Sequence, residues 1–299
     1  MNIEIVGVPM DLGANRRGTD MGPSAIRYAG LSKALNEMGL CVTDNGNIHV
    51  PVPESLKIAQ AEYLFVDEIL SVCKSLGKLV AEILARGNFP LVLGGDHSIA
   101  MGTLLGVAKH IPACGLIWFD AHGDFNTLQS SETGNIHGMS LAAITGKGNL
   151  NFAQSGIHPV ISEEKTVLIG IRDLDPVEKE RLKQSKIKVF TMKAIDEMGI
   201  ASVVKEALFI AGSGNDGFHV SFDLDVIDPS TASGVGTPVT GGLSYREAHL
   251  ALELIAETNL LKSFEICEVN PIVDQGGNRT ARLAVELICS ALGKRIFGA

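Results

Sequence analysis

A chain of 299 residues that is 45% hydrophobic and 20% charged can bury a sizeable core, and is not a disordered or collagen-like polymer. Its 25 basic against 34 acidic residues leave a formal charge of −9, which argues against a nucleic-acid backbone as partner and suits a cationic ligand. The five cysteines (Cys41, Cys73, Cys114, Cys267 and Cys289) are scattered without a Cys-x-x-Cys pair, the N-terminus has no basic leader region, and no run is long enough to span a membrane, so the sequence reads as a soluble cytoplasmic protein with reduced thiols.

Ile3–Val6 reads as a strand closed by Gly7-Val8-Pro9, and a loop rich in glycine and charge runs from Asp11 to Gly22. Pro23 suits the first turn of a helix continuing from Ser24 to Met38. Residues 40–43 form a second candidate strand, and Asn45 to Pro53 reads as a linker or surface loop. From Glu54 to Arg86, apolar residues including Ile69, Cys73, Leu76, Val80 and Ile83 recur at helical spacing until Gly87. The pattern then repeats as short apolar strand, loop and helix. Strands are expected at 90–93, 115–119, 166–170, 187–190, 218–222 and 263–267, with helices at 193–211 and from Arg279 to Ile296 among them. About eight strands alternating with helices make an α/β protein with a mostly parallel sheet and helices on both faces. No break in composition divides residues 1–299 into two domains.

Chemistry gathers where these strands end. His97, Asp120, His122, Asp124, Asp175, Asp223, Asp225 and Glu268 all fall just past the carboxyl end of an expected strand, the edge at which open parallel sheets bind ligands. After the strand 115–119, Asp120, His122 and Asp124 alternate with Ala121 and Gly123, so a continuing pleat points them to one side at steps of roughly 6 to 7 Å. Asp223 and Asp225 repeat the alternation a hundred residues later. With His97 they make a constellation of four carboxylates and two imidazoles, whose charge of about −4 two divalent cations would cancel. An oxygen-rich set without cysteine suits an ion harder than zinc, and the imidazoles disfavour Mg²⁺; Mn²⁺ fits best, ahead of Fe²⁺ and Co²⁺. Two such ions sharing a water, and lowering its pKa from 15.7 toward about 7, would gain roughly 11 to 12 kcal/mol in nucleophile availability. The chain has no Gly-x-Ser-x-Gly elbow and no phosphate-binding Gly-x-x-x-x-Gly-Lys loop, so a metal-assisted hydrolase is the leading expectation.

Gly94-Gly-Asp-His97-Ser98, Asp120-Ala-His-Gly-Asp124-Phe-Asn-Thr127 and Ser221-Phe-Asp-Leu-Asp225-Val-Ile-Asp-Pro229 resemble the three metal motifs of the ureohydrolases. The resemblance extends through Gly7–Gly13, Gly22–Arg27 and Glu268-Val-Asn-Pro271, and so covers nearly the whole chain. It implies a three-layer α/β/α fold and two Mn²⁺ held by His97, Asp120, His122, Asp124, Asp223 and Asp225. It also implies hydrolysis of a guanidinium group to urea by a hydroxide shared between the ions. Thr133-Gly-Asn135-Ile-His137-Gly-Met139 is similar to the segment with which the arginase branch grips the amino-acid end of L-arginine. Asn126, Ser131, Thr133, Asn135, Asp175 and Glu178 would supply groups for the α-carboxylate and α-ammonium. By the same resemblance Glu268 would pair with the guanidinium, His137 would pass a proton to the leaving amine, and Ser244 would add a hydroxyl near the guanidinium. Asp96, Asp228 and Asn270 would orient the ligands, and a homotrimer or homohexamer is implied.

The chain departs from the pattern at Ser140 and Ser233, where proline is common, at Glu132, an added acid in the substrate loop, and at Asn45-Gly46-Asn47. The rival readings are agmatinase or guanidinobutyrase, a metal-dependent amide deacetylase on a similar fold, and a non-enzymatic metal-stabilised protein. Agmatine lacks the carboxylate that the 126–135 groups would serve, and a non-enzyme would have little need of Glu268 and His137.

Overall fold

Strand positions follow the short apolar runs closely. In a computed structural model of the chain, which describes residues 2–56, 65–148, 160–214, 216–295 and 297, they are β1 (Asn2–Val8), β2 (Cys41–Asn47), β3 (Phe89–Gly94) and β4 (Gly115–Phe119), then β5 (Thr166–Ile171), β6 (Lys188–Thr191), β7 (Phe218–Asp223) and β8 (Leu261–Cys267). They join into one sheet in the order β2-β1-β3-β8-β7-β4-β5-β6, and each neighbouring pair is parallel. β3, β4, β5 and β7 are buried along their whole length, as parallel strands covered on both faces must be.

Helices cover both faces. One core packs α1 (Gly22–Tyr28), α2 (Leu31–Glu37), α8 (Ile200–Gly212), α9 (Tyr245–Glu257) and α10 (Arg279–Ala291) against Ile117, Phe119, Phe222 and Phe264. The other packs α3 (Val66–Ala85), α4 (Ala100–His110), α5 (Ser140–Ile144) and α6 (Pro176–Gln184) against Leu116, Trp118 and Leu168. This is the three-layer α/β/α arrangement.

The helices depart from the sequence reading at specific residues. The span 24–38 is two helices parted at Gly30, and 193–211 is α7 (Met192–Met198) and α8 parted at Gly199, both glycines having left-handed φ. The segment from Glu54 begins as a short 3-10 turn at Pro53–Ser55, and α3 starts only at Val66; residues 57–64, and Ile296 at the end of the last expected helix, lie outside the described residues. Asn45–Asn47, expected as loop, belongs to β2. Parallel pairing with β1 (Ile5 with Asp44, Gly7 with Asn47) overrides the poor strand propensity of Asp-Asn-Gly-Asn. Arg27 holds this edge by donating to Asp44, Asn47 and the Gly46 carbonyl.

The strand order has a direct consequence for function. From β3 the chain crosses through α4 to β4, skipping two positions that β7 and β8 fill later. The carboxyl ends of β3, β8, β7 and β4 therefore stand side by side, and residues more than 100 apart in sequence meet there.

A second polar feature ties β1 to its surroundings. Buried Glu4 accepts hydrogen bonds from Arg86, Asn88 and Asn45, joining β1 to β2 and to the end of α3. Burial alone would raise its pKa, but the bonds from these three side chains outweigh it and hold the carboxyl at about 2 instead of 4.5. A depressed folded-state pKa stabilises fully above about 4.5 and is lost as the pH falls toward 2. Thermal melts of the chain and of Glu4→Gln across that window should therefore converge; a difference as large at pH 3 as at pH 6 would contradict this role.

Candidate metal centre

Six side chains converge past the ends of β3, β4 and β7. His97 follows β3 in a tight 3-10 turn capped by the Asp96 side chain, which accepts from the Ser98 N–H. Its Nδ1 faces three carboxylate oxygens: Asp120 Oδ2 at 3.1 Å, Asp223 Oδ2 at 3.2 Å and Asp124 Oδ2 at 3.3 Å. The other oxygen of Asp120 serves a second nest, where His122 Nδ1 lies 3.3 Å from Asp120 Oδ1 and 3.1 Å from Asp225 Oδ2. Asp120 thus faces both nests, one oxygen to each. In both sets, His97–Asp120–Asp223 and Asp120–His122–Asp225, the ligand atoms lie within 4.8 Å of one another, as coordination of one ion requires.

The backbone and neighbouring donors fix these groups. Asp120 Oδ2 accepts from Trp118 Nε1 at 2.9 Å and Oδ1 from the His122 N–H, while the Trp118 ring stacks on His97 at 4.1 Å. Asp225 accepts from the Ala121 N–H and from Thr237 Oγ1. Asp124 holds a left-handed backbone conformation (φ 48°), and so does Glu268 (φ 66°). Neither is glycine, and such conformations cost on the order of 1–3 kcal/mol and concentrate at functional sites.

The nests lack a permanent cation. Among the described residues no lysine or arginine side chain pairs with any of the four aspartates. Burial raises the Asp223 carboxyl well above its ordinary range and Asp124 to about 6, with repulsion from neighbouring aspartates adding to both. Burial opposes charge on His97 and His122, but the facing carboxylates raise both imidazoles well above the usual value. Asp124 Oδ2, buried, has no hydrogen-bond partner. An oxygen-rich, desolvated, over-negative pair of nests with an unspent carboxylate oxygen fits divalent cations and little else.

Beside the nests opens a cleft of about 200 Å³ that brings together Asn126, Ser131, Thr133, Asn135, Asp175, Glu178, His122, Asp124 and His137. It abuts a second cleft of about 450 Å³ lined by Arg16, His137, Asp173, Thr237 and Glu268. Asn126 donates to Asp175, and Ser131 accepts from the Gly134 N–H. Glu178 spends both oxygens on backbone, accepting from the Phe125 and Asp175 N–H groups, and burial pushes its carboxyl up to about 7. Glu268 Oε1 accepts from the His97 N–H at 2.9 Å and lies 3.0 Å from His137 Nδ1, while Oε2 is buried without a partner. A Cβ on Gly236 would overlap that oxygen, so only glycine lets the 228–243 loop pass so close. Burial works against charge on His137, yet Glu268 raises it to about 9.

Ser244 corrects the sequence reading. It is the N-cap of α9, in a capping box with Glu247, and lines a different cavity with Tyr245 and His249. The helix start uses its hydroxyl. Asp96 and Asn270 tie loops together, by bonds to Gly13 N–H and to the Arg17 carbonyl, and Asp228 holds the Gly241 and Gly242 N–H groups; none touches a carboxylate of the nests. Thr237 and Asp173, which do face the cleft, were not singled out in the sequence. Asp173 alternates with Asp175 after β5, a signal that could have found it, whereas Thr237 lies in a loop with no motif. Glu132 is exposed and outside the cleft lining, and Ser140 donates to the His137 carbonyl.

The model of the arginase family matches residues 1–293. An arginase of Brevibacillus brevis is 50% identical over 297 residues, 99% of each chain. A crystal structure of arginase from Bacillus cereus superposes with a TM-score of 0.93 at 49% identity, covering 99% of this chain and 100% of that one. The native arginase of Bacillus caldovelox at pH 5.6 gives 0.94 at 47% identity, over 99% of both chains.

Cations that fill the nests bind the folded chain and not the unfolded one. Mn²⁺ at 100 times its Kd should therefore add about 2.7 kcal/mol of stability over the chelated protein. Scanning calorimetry with and without a chelator measures this, and superimposable thermograms would count against a metal site.

Proposed function

The chain belongs to the arginase family, and from that we propose that residues 1–299 act as one catalytic domain hydrolysing L-arginine to L-ornithine and urea with two Mn²⁺ ions. The observation that carries the reading is Asp120, with one oxygen in each of two nests. His97, Asp120, Asp124 and Asp223 would hold one ion, and Asp120, His122 and Asp225 the other. When bound, the ions supply an attacking hydroxide near neutral pH. Carboxylate-dominated ligands without cysteine favour manganese over zinc.

The remaining roles belong to the chain's own groups. Glu268 offers its free Oε2 to the planar N–H fork of the guanidinium, while Oε1 is kept in place by the His97 N–H. That bond sets the guanidinium carbon beside the nests. His137, held through Nδ1 by Glu268 and carrying a proton at neutral pH, delivers it to the departing δ-amine of ornithine from its other ring nitrogen. Asn126, Ser131, Thr133, Asn135 and Asp175 receive the α-carboxylate and α-ammonium across the smaller cleft. Glu178 supports that wall without needing to touch the substrate, and Ser244 takes no part.

We place the protein in the cytoplasm, a reading supported by five unpaired cysteines and by the lack of any helix among the described residues long and apolar enough to cross a membrane. A homotrimer or homohexamer would show in light scattering as three or six times 31.6 kDa.

Urea release should be at least about 10-fold more efficient from L-arginine than from agmatine, the worth of one lost charged hydrogen-bond group. Equal kcat/KM on both would favour the agmatinase reading. His137→Ala should lower kcat by about 10²–10⁴-fold with KM little changed. Asp124→Ala should abolish both the ion of the His97 nest and turnover, and full-rate urea production by that variant would sink the two-ion scheme.

A further inference from the structure

Behind the His97 ring runs a buried polar row that the proposed reaction does not use. The register of β7 against β8 sets Ser221 opposite Glu265 and His219 opposite Ser263, and β4 sets Trp118 opposite Ser221. All these side chains point to one face of the sheet, beneath α4, and all are fully buried. His97 Nε2 lies 2.7 Å from Ser221 Oγ, which lies 2.6 Å from Glu265 Oε1. His219 Nε2 stands 3.4 Å from the same carboxylate oxygen, and its Nδ1 2.7 Å from Ser263 Oγ.

The hydroxyl of Ser221 has one proton to give. A contact of 2.6 Å to a carboxylate is the length of a charge-assisted O–H···O⁻ bond, so that proton points at Glu265. Ser221 must then accept from His97, which puts the imidazole proton on Nε2. In the neutral imidazole that a metal ion requires, Nδ1 then keeps its lone pair, and Nδ1 is the atom facing Asp120, Asp124 and Asp223. Stacking on Trp118 fixes the plane of the His97 ring but cannot tell one nitrogen from the other. The row behind it does.

We infer that Glu265 is a positioning residue of the metal centre: acting through the Ser221 hydroxyl, its carboxylate dictates which nitrogen of His97 carries the proton and so keeps Nδ1 open as a ligand. The inference rests on the reading of the His97 nest as a metal site. In Glu265→Gln the amide can donate to Ser221, whose proton then turns to His97 Nε2, and the imidazole proton is driven onto Nδ1, into the nest.

Metal-stripped full-length protein, Ser221→Ala, Glu265→Gln and the double variant would be titrated with Mn²⁺, with free ion read by electron paramagnetic resonance. His97→Ala marks which binding step belongs to that imidazole. Glu265→Gln should weaken the marked step by about 10–100-fold and leave the other unchanged. The double variant should be no weaker than the weaker single, because both substitutions cut the same connection. Equal weakening of both steps with a fall in Tm would make Glu265 a mere prop, and additive losses would make the two residues independent; either result overturns the inference, as does an unaltered isotherm. If Glu265→Gln does not fold, Ser221→Ala decides, and an unaltered marked step in that variant is fatal. Wild-type protein that binds no manganese sinks the metal reading and this inference with it, whereas wild-type binding that the variants retain sinks the inference alone.

Discussion

Asp120 gives one oxygen to His97 and the other to His122, and the rest of the site answers the electrostatic problem this creates. Four carboxylates drawn out of water repel one another, and two imidazoles cannot neutralise them. The cost of holding that arrangement is met by the framework: a sheet buried on both faces, Trp118 and the His122 N–H fastened to Asp120, and Thr237 fastened to Asp225. Two residues, Asp124 and Glu268, sit in backbone conformations that a free chain would avoid. Charge that the protein cannot neutralise with its own cations is charge reserved for cations from outside.

The strand order makes the gathering possible. Because β7 and β8 are inserted between β3 and β4, four neighbouring strand ends carry His97, Glu268, Asp223 with Asp225, and Asp120 with its followers. Glu268, the proposed guanidinium partner, is thus braced against the His97 nest: its Oε1 reaches the His97 N–H and the His137 ring at once.

Much of this was legible in the amino-acid sequence, for a physical reason. Buried parallel strands are short apolar runs, and the Asp-x-His-x-Asp and Asp-x-Asp alternations follow them directly, so the strand positions and the acids and imidazoles that converge past them are legible together. Other features were not. Nothing local marks Gly30 and Gly199 as helix breaks rather than tolerated glycines, and Asn45–Asn47 becomes strand only because β1 lies alongside. Ser244 carries a motif-like setting, yet its hydroxyl closes the first turn of α9. Thr237 reaches Asp225 from a loop whose path depends on Gly236 and on Arg172, which donates to the Asp225, Val226 and Val239 carbonyls. The row His219, Ser221 and Asp223 did leave a trace: polar residues alternate with Phe218, Val220 and Phe222 in a strand that must be central. In a strand with no wet face, such alternation means that the polar members have partners.

The strand ends that carry the nests and the groups that line the smaller cleft come from different parts of the architecture. The nests are set into the rim of the sheet, whereas Ser131, Thr133 and Asn135 ride on the irregular segment between Asn126 and Met139, which hangs from that rim. The engine and the reader are therefore separable. With the roles proposed above, lineages could recut the segment for a new guanidino compound while inheriting the water-activating nests whole, and a designer seeking such an enzyme would do better to graft that one stretch than to redraw the sheet beneath it.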